Sequence, residues 1–232
     1  MKAIRHLVSR ATVRMSPRLW EWVRLRTRGI SLPEPVIRTG ILFIHIPKAA
    51  GTSICMALYG IPTIGHLKIR DWQSWFPHSW RTMTIVAVLR DPVDRFLSAF
   101  YFLKNGGINE SDAQFADRFL RELETPDILV KAMSRDEAFR HHILNYTHFI
   151  PQVEFLKDRQ GALCGDLLVP YEQIENFGNL IEPFLGRVLS IPKLNTTEAQ
   201  RKSPLSPDSV GFLRSVYDED DRLYRSLLGA KT

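Results

Sequence analysis

The feature that most constrains the fold is a short apolar run that leads into a loop of phosphate-binding composition. Residues 41–46 are apolar except for one histidine, which predicts a buried β-strand, and residues 54–59 predict the start of a helix. The loop between them supplies the polar groups: Lys48, Gly51, Thr52 and Ser53. Because a strand–loop–helix turn directs backbone N–H groups and the positive end of the helix dipole at one point, this segment predicts an anion site.

The order of residues in this loop differs from that of the loop that binds ATP or GTP. The nucleotide loop reads G-x-x-x-x-G-K-[ST], with its lysine after the last glycine and a hydroxyl on Mg²⁺. Here Lys48 precedes Gly51, and no earlier glycine opens the loop. Gly51 would let the backbone approach an anion closely, and Lys48 would add a full positive charge. An ordinary strand-to-helix turn with a surface lysine stays open as the alternative.

A second apolar run, residues 84–89, predicts a central strand of a parallel sheet. Arg90 follows it directly, and an Asp-Pro pair then starts a helix predicted over residues 92–104. Arg90 therefore falls at the carboxyl end of a strand, where ligands of open α/β sheets bind. Arg90 and Ser98, which lies two turns into the helix, are suited to a second phosphate.

Weaker signals place the remaining elements. Two capping-box patterns, Ser111-x-x-Gln114 and Ser134-x-x-Glu137, predict helix starts. A short helix is predicted around residues 69–76, a late strand at residues 167–169, and a last helical region from Ser206. Arg95 lies four residues after Asp91, and this spacing favours a local ion pair within the helix. The alternation of strands and helices predicts an α/β fold with a central parallel sheet and helices on both faces.

Together the two polar motifs resemble those of sulfotransferases that use 3′-phosphoadenosine 5′-phosphosulfate (PAPS). The similarity is greatest to the membrane-type carbohydrate group, which includes heparan sulfate 2-O-sulfotransferase. In that family a loop similar to residues 43–53 holds the 5′-phosphosulfate, and a segment similar to residues 90–100 holds the 3′-phosphate. Ala49 stands where that family commonly has threonine. The similarity continues through residues 148–152 and 194–198, in the order that the family has them.

The resemblance implies a P-loop-like three-layer α/β/α domain that transfers a sulfuryl group from PAPS to a hydroxyl. The acceptor would be a glycan, a glycolipid or a related metabolite. Thr197 lies in a segment similar to one that folds over the cofactor in the family. The implied cofactor-binding residues are Lys48, Ala49, Ala50, Gly51, Thr52, Ser53, Arg90, Ser98 and Thr197.

Transfer to a hydroxyl requires a base with a pKa near neutrality, which points to histidine. His66 lies in a Gly-His element between the two motifs, where the resemblance to heparan sulfate 2-O-sulfotransferase implies the catalytic base. Lys48 would neutralise the charge that develops on the departing 5′-phosphate. Asp71 and His78 are the reserve candidates. A histidine inside the first strand is expected to be structural, and those after residue 140 are distant in sequence, so four rank lower: His45, His141, His142 and His148.

Positive charge is concentrated at the N-terminus. Residues 1–30 contain eight lysines and arginines against one acidic residue, whereas the whole chain has a net charge of +6. This composition predicts a basic, helical arm over residues 1–38, joined through a linker at residues 33–39 to a single sulfotransferase domain over residues 39–232. Such an arm is suited to an anionic membrane surface, and a solvated helix docked on the domain is the alternative. Binding to nucleic acid is not expected.

Several function classes are disfavoured by what the sequence lacks. No stretch approaches the roughly 18 apolar residues that span a bilayer, and the N-terminus has no signal-peptide core. We therefore expect a cytoplasmic enzyme, with peripheral contact at the inner face of the membrane as an option. Cys55 and Cys164 have neither metal nor redox spacing, and no metal is expected. Two alternative functions stay open, a P-loop kinase or NTPase and a non-catalytic nucleotide-binding member of the same family.

Overall fold

The computed structural model describes residues 32–192 and 204–229. The described strands form a parallel sheet in the order β1-β2-β3. The strands are β1 (Ile41–Ile44), β2 (Thr84–Leu89) and β3 (Leu167–Pro170). In register, Ile41 lies opposite Thr84, and Val86 lies opposite Leu167. The predicted second and third strands are confirmed. The first strand is two residues shorter than predicted, because the N–H of Ile46 turns back to the carbonyl of Ile44.

Helices surround this sheet, so the chain has an α/β fold, and the arrangement is compatible with three α/β/α layers. The described helices are α1 (Glu34–Thr39), α2 (Gly51–Tyr59), α3 (Ile69–Trp75), α4 (Pro92–Lys104), α5 (Glu110–Phe119), α6 (Pro126–Arg135), α7 (Glu137–Leu144), α8 (Val153–Leu156), α9 (Phe177–Leu180), α10 (Glu182–Leu185), α11 (Pro207–Val216) and α12 (Asp218–Gly229). Short 3₁₀ helices cover Trp80–Thr82 and Tyr171–Asn176. Within the described residues, no helix combines the length and apolar character needed to cross a membrane.

The sheet lies in the centre of the main hydrophobic core. Every residue of β1 is buried, as are the last five residues of β2, as expected for parallel strands covered on both faces. Val36 of α1 is fully buried in the same core. The predicted linker at residues 33–39 is therefore wrong, because α1 packs against the domain that it was expected to precede.

Several helices start directly after a polar residue whose side chain caps them. α4 has the predicted bounds, and the Asp91 carboxylate accepts hydrogen bonds from the N–H groups of Val93 and Asp94. The two capping-box predictions are wrong. Asn109 caps α5, and Asp136 caps α7, each accepting from an N–H group in the first turn. Aspartate and asparagine cap helices at least as well as serine, and here they lie at the positions where the backbone enters the helix.

A second hydrophobic cluster contains residues of helices α4, α5, α6, α7 and α11. Aromatic side chains such as Phe96, Phe100 and Phe149 fill it, and Phe149 lies only one residue from a histidine that reaches the candidate site. The helical region that follows residue 105 therefore brings the chain back to the end of the sheet. Residues 1–31 of the predicted basic arm (1–38) and the predicted cofactor contact Thr197 lie outside the described residues, and the last residues of that arm belong to α1.

Candidate anion-binding and catalytic site

The loop between β1 and α2 has an unusual backbone. Lys48 and Ala50 both adopt the left-handed region, with φ of 67° and 59°. This conformation costs a residue with a side chain about 1–2 kcal/mol, so the surrounding structure must hold it. No side chain caps α2. A loop with left-handed residues that leads into a helix without a side-chain cap is a backbone arrangement of the kind that binds anions.

Gly51 is required by a neighbouring ring. A Cβ atom on Gly51 would lie 1.9 Å from Cδ2 of His45. The His45 ring is buried, and its Nδ1 lies 3.1 Å from the hydroxyl of Thr63. Burial, together with the nearby His66 ring, lowers the pKa of His45 to about 3, so this ring is neutral. The sequence assigned Gly51 to close approach of an anion, whereas the structure shows that the glycine accommodates His45. The predicted structural role of His45 agrees with this packing.

The turn after β2 holds Arg90 by its backbone. The N–H of Arg90 donates to Oε1 of Gln152 at 2.9 Å, and Nε2 of Gln152 donates to the carbonyl of Arg90 at 2.8 Å. Gln152 is itself fixed, since its N–H donates to the buried carboxylate of Asp220 at 2.7 Å. The Arg90 side chain is directed toward the first loop, where Nη1 donates to the carbonyl of Lys48 at 3.4 Å. Its guanidinium lies 4.8 Å from the centre of the Tyr171 ring. The structure therefore brings the two predicted motifs together.

Arg95 has a structural role that differs from the predicted one. Its side chain is fully buried and donates to the carbonyls of His148 and Ile150, at 3.0 and 2.7 Å. The predicted pair with Asp91 is wrong, because the Asp91 carboxylate caps α4 and pairs with Arg214 at 3.0 Å. Arg95 instead anchors the segment that carries His148. Ser98 is half-buried further along α4.

His66 is in the protonation state that a general base needs. Its Nδ1 lies 2.8 Å from the carbonyl oxygen of His45. A carbonyl can only accept, so Nδ1 carries the proton and Nε2 of the neutral ring carries the lone pair. Burial lowers the pKa of His66, although the hydrogen bond to His45 opposes this shift. The ring is therefore neutral near pH 7, with Nε2 able to accept a proton.

A second histidine reaches the same place. His148 is 6% exposed, and its ring centre lies 6.0 Å from that of His66 and 4.8 Å from that of Phe102. Its Nε2 lies 3.1 Å from Oδ1 of Asp112, and that oxygen also accepts from the hydroxyl of Tyr146 at 2.6 Å. Burial lowers the pKa of His148 to about 4, although Asp112 opposes this shift.

Sequence reasoning gave His148 a lower rank because it is distant in sequence, while allowing that folding could bring it back, and gave Asp112 no role. The available signal for His148 was its position at the start of the 148–152 segment that resembles the sulfotransferase family. No spacing or motif singled out Asp112. Both residues reach His66 only through long-range packing of the helical region, and no local sequence pattern predicts that packing.

Lys48 lies in a dehydrated, positively charged environment. Its Nζ is 3.7 Å from the centre of the Phe102 ring, a cation–π contact. Burial and the nearby Arg90 guanidinium lower the pKa of Lys48 to about 8, and Asp112 opposes this shift. Two cationic side chains beside an uncapped helix start favour a bound anion, because the anion compensates both charges.

The reserve candidates have other surroundings. The Asp71 carboxylate accepts from the N–H of Lys68 at 2.9 Å and so caps α3. His78, His141 and His142 are exposed. The structure thus brings Lys48, the 49–53 loop, His66 and Arg90 together, adds His148 and Asp112, and leaves Asp71 in a structural role.

Comparison with known proteins found no similar molecule. No protein-family model matches the sequence, no curated protein matches it, and no solved structure matches the fold.

Proposed function

We propose that this chain is a PAPS-dependent sulfotransferase built on a P-loop-like three-layer α/β/α domain. It would transfer a sulfuryl group to a hydroxyl of a glycan, a glycolipid or a related metabolite. The observation that carries most weight is the 3.4 Å contact between Nη1 of Arg90 and the carbonyl of Lys48. This contact joins two cationic turns at the carboxyl ends of adjacent parallel strands, which suits a ligand with two separate anionic groups.

The donor groups of the two turns fit the two ends of this cofactor. The 49–53 loop offers backbone N–H groups and hydroxyls, and Lys48 a charge, for the 5′-phosphosulfate. Arg90 offers a bidentate guanidinium for the 3′-phosphate, with Ser98 and, by resemblance, Thr197 as further contacts. PAPS, when bound, supplies the sulfuryl group.

The reaction requires three actions of the chain's own residues. The loop N–H groups and Lys48 hold the phosphate and neutralise charge on its oxygen as the sulfur–oxygen bond breaks. Nε2 of His66 accepts the proton of the attacking hydroxyl, an effect typically worth about 10²- to 10⁴-fold in rate. Arg90 fixes the far end of the cofactor, so that the reacting atoms stay aligned.

Calorimetric titration with 3′-phosphoadenosine 5′-phosphate, without metal, tests the proposal. Wild type should bind, and Lys48→Ala and Arg90→Ala should each weaken binding by about ten- to a hundredfold, since each removes a charge-assisted contact. Lys131→Ala is the matched control, because Lys131 is an exposed cation that pairs with Asp127 on α6. It should bind as wild type does. A folded wild type that does not bind the nucleotide would contradict the proposal.

The alternative functions give different results in the same experiments. A P-loop kinase or NTPase would bind ATP with Mg²⁺ and turn it over. A non-catalytic nucleotide-binding protein would bind the nucleotide and release none from PAPS with any hydroxyl acceptor. A sulfotransferase instead releases 3′-phosphoadenosine 5′-phosphate from PAPS when a hydroxyl acceptor is present. His66→Ala should then keep nucleotide affinity and lose this release.

A further inference from the structure

We propose that Asp112 and His148 form a positioning pair for His66, in which the Asp112 carboxylate is the internal counter-ion for the proton that His66 removes from the acceptor hydroxyl. This inference deepens the proposed function and rests on it. The proton moves from the hydroxyl oxygen to Nε2 of His66. The electron pair of the broken O–H bond stays on the oxygen and forms the new bond to sulfur, while the bond between sulfur and the 5′-phosphate oxygen of PAPS breaks and its electron pair leaves on that phosphate oxygen. Asp112 and His148 neither gain nor lose a proton.

The surrounding residues bury the Asp112 carboxylate and supply its hydrogen-bond donors. It is 2% exposed and accepts from the hydroxyl of Tyr146 at 2.6 Å, from Nε2 of His148 at 3.1 Å and from the N–H of Ile108 at 3.1 Å. Gly107 leaves room for it, because a Cβ atom there would lie 2.1 Å from Cβ of Asp112. A buried carboxylate is costly without such partners, and this one has three.

His148 adds a buried acceptor atom whose partner is not among the residues that the structure describes. Because its Nε2–H donates to Asp112, the lone pair of the neutral ring is on Nδ1. Nδ1 is buried and has no hydrogen-bond partner among the described residues. Leaving a buried polar atom unpaired costs about 1–3 kcal/mol, and such atoms are rare in folded proteins. The ring that carries this atom lies beside His66 and Phe102.

Asp112 is the anion in a group of cationic and titratable side chains. Lys48 extends from the loop after β1, His66 from the loop after α2, and Arg90 from the turn after β2. Tyr146 and His148 come from the segment after α7. Burial lowers the pKa values of Lys48, His66 and His148, and Asp112 opposes the shift in all three.

The negative charge of Asp112 therefore acts to raise the pKa of His66. A negative charge stabilises the imidazolium that forms when His66 takes up a proton. Burial raises the pKa of the Asp112 carboxyl, but hydrogen bonds from Tyr146 and the Ile108 N–H, together with His148, bring it below its usual value. Asp112 is thus ionised when His66 acts, and its removal should make His66 harder to protonate.

The test is an NMR titration of the histidine rings in the full chain, which needs neither cofactor nor acceptor. Loss of a signal in His66→Gln and in His148→Gln assigns the two rings. In wild type, nitrogen shifts should show the proton on Nδ1 of His66 and on Nε2 of His148. In Asp112→Asn, the titration midpoint of His66 should move to lower pH. Tyr146→Phe is the matched control, because it removes a hydrogen bond to the same carboxylate and keeps the charge, so the midpoint should stay.

Two results would overturn the inference. The first is a His66 midpoint that is the same in Asp112→Asn and in wild type, with both proteins folded. The second is a wild-type His148 protonated on Nδ1, which decides the question even if Asp112→Asn does not fold. Failure of the proposed function is separate, because it appears as absent binding of 3′-phosphoadenosine 5′-phosphate, whereas the titration is read without nucleotide.

Discussion

The turns after β1 and β2 lie side by side, but their backbones are stabilised in different ways. The first holds Lys48 and Ala50 in left-handed conformations and starts its helix without a side-chain cap. The second starts α4 with the Asp91 cap and a proline, and Gln152 bonds both the N–H and the carbonyl of Arg90. The first turn therefore lacks a side-chain cap on its helix, whereas the second is held by side-chain hydrogen bonds at both the cap and Arg90.

This difference indicates a division of labour at the site. A strained, uncapped loop can wrap an anionic group with N–H donors, but its conformation depends on packing from outside. A capped turn holds a guanidinium in a fixed place and gains little from its own backbone. In the proposed function the first arrangement suits the reacting phosphosulfate, and the second suits a distant phosphate that only anchors the cofactor.

The largest effect is expected where the strained loop is packed. Gly51→Ala would place a methyl group within the His45 ring, so the free energy of unfolding should fall by about 3 kcal/mol. Binding of 3′-phosphoadenosine 5′-phosphate should be lost as well, because the loop must move. Denaturant unfolding and calorimetry measure the two effects.

Two further variants decide whether the ring is the cause. His45→Ala added to Gly51→Ala removes the obstruction and should recover part of the lost stability, as a coupling between contacting residues. Gly211→Ala is the matched control, because nothing lies within 4 Å of the new methyl group on α11. It should stabilise by about 0.5–1 kcal/mol. A Gly51→Ala protein as stable as wild type would show that the loop does not depend on this packing.

A smaller effect of substitution is expected at the capped turn after β2. Gln152→Ala removes two hydrogen bonds to the half-buried backbone of Arg90, and because water can reach these groups, each loss should cost about 0.5–1.5 kcal/mol. Stability should fall, and nucleotide affinity should fall through misplacement of Arg90. Gln152→Glu can still accept from the N–H, but as a buried carboxylate it faces the carbonyl oxygen of Arg90, so stability and affinity should again fall below those of wild type. Equal affinities in all three proteins would mean that Arg90 needs no backbone support.

How far the sequence anticipated each turn follows from the range of the interactions that build it. The second turn was predicted to the residue, because a continuous apolar strand and the Asp91 cap are local signals. The first turn was predicted as an anion loop, but the reason for Gly51 was not, since His45 meets it only after the chain folds back. Asp112 and His148 were not predicted as partners of His66, because they reach the site through packing of the helical region.

The smallest effect concerns pH, and it separates the two turns by their cations. Burial, with Arg90 nearby, lowers the pKa of Lys48 to about 8, so the lysine loses its charge in the free protein as pH rises above that value. Protonated Lys48 favours an anion, hence nucleotide affinity should decline above pH 8, by up to about tenfold per pH unit. Calorimetry between pH 6.5 and 9 would measure it. In Lys48→Ala the decline should disappear. Arg90→Ala should weaken binding at every pH, since an arginine stays charged throughout this range, and should move the decline to higher pH, because the nearby guanidinium helps to lower the pKa of Lys48. A wild-type affinity that is constant up to pH 9 would mean that Lys48 is not the cation that holds the nucleotide at the strained turn.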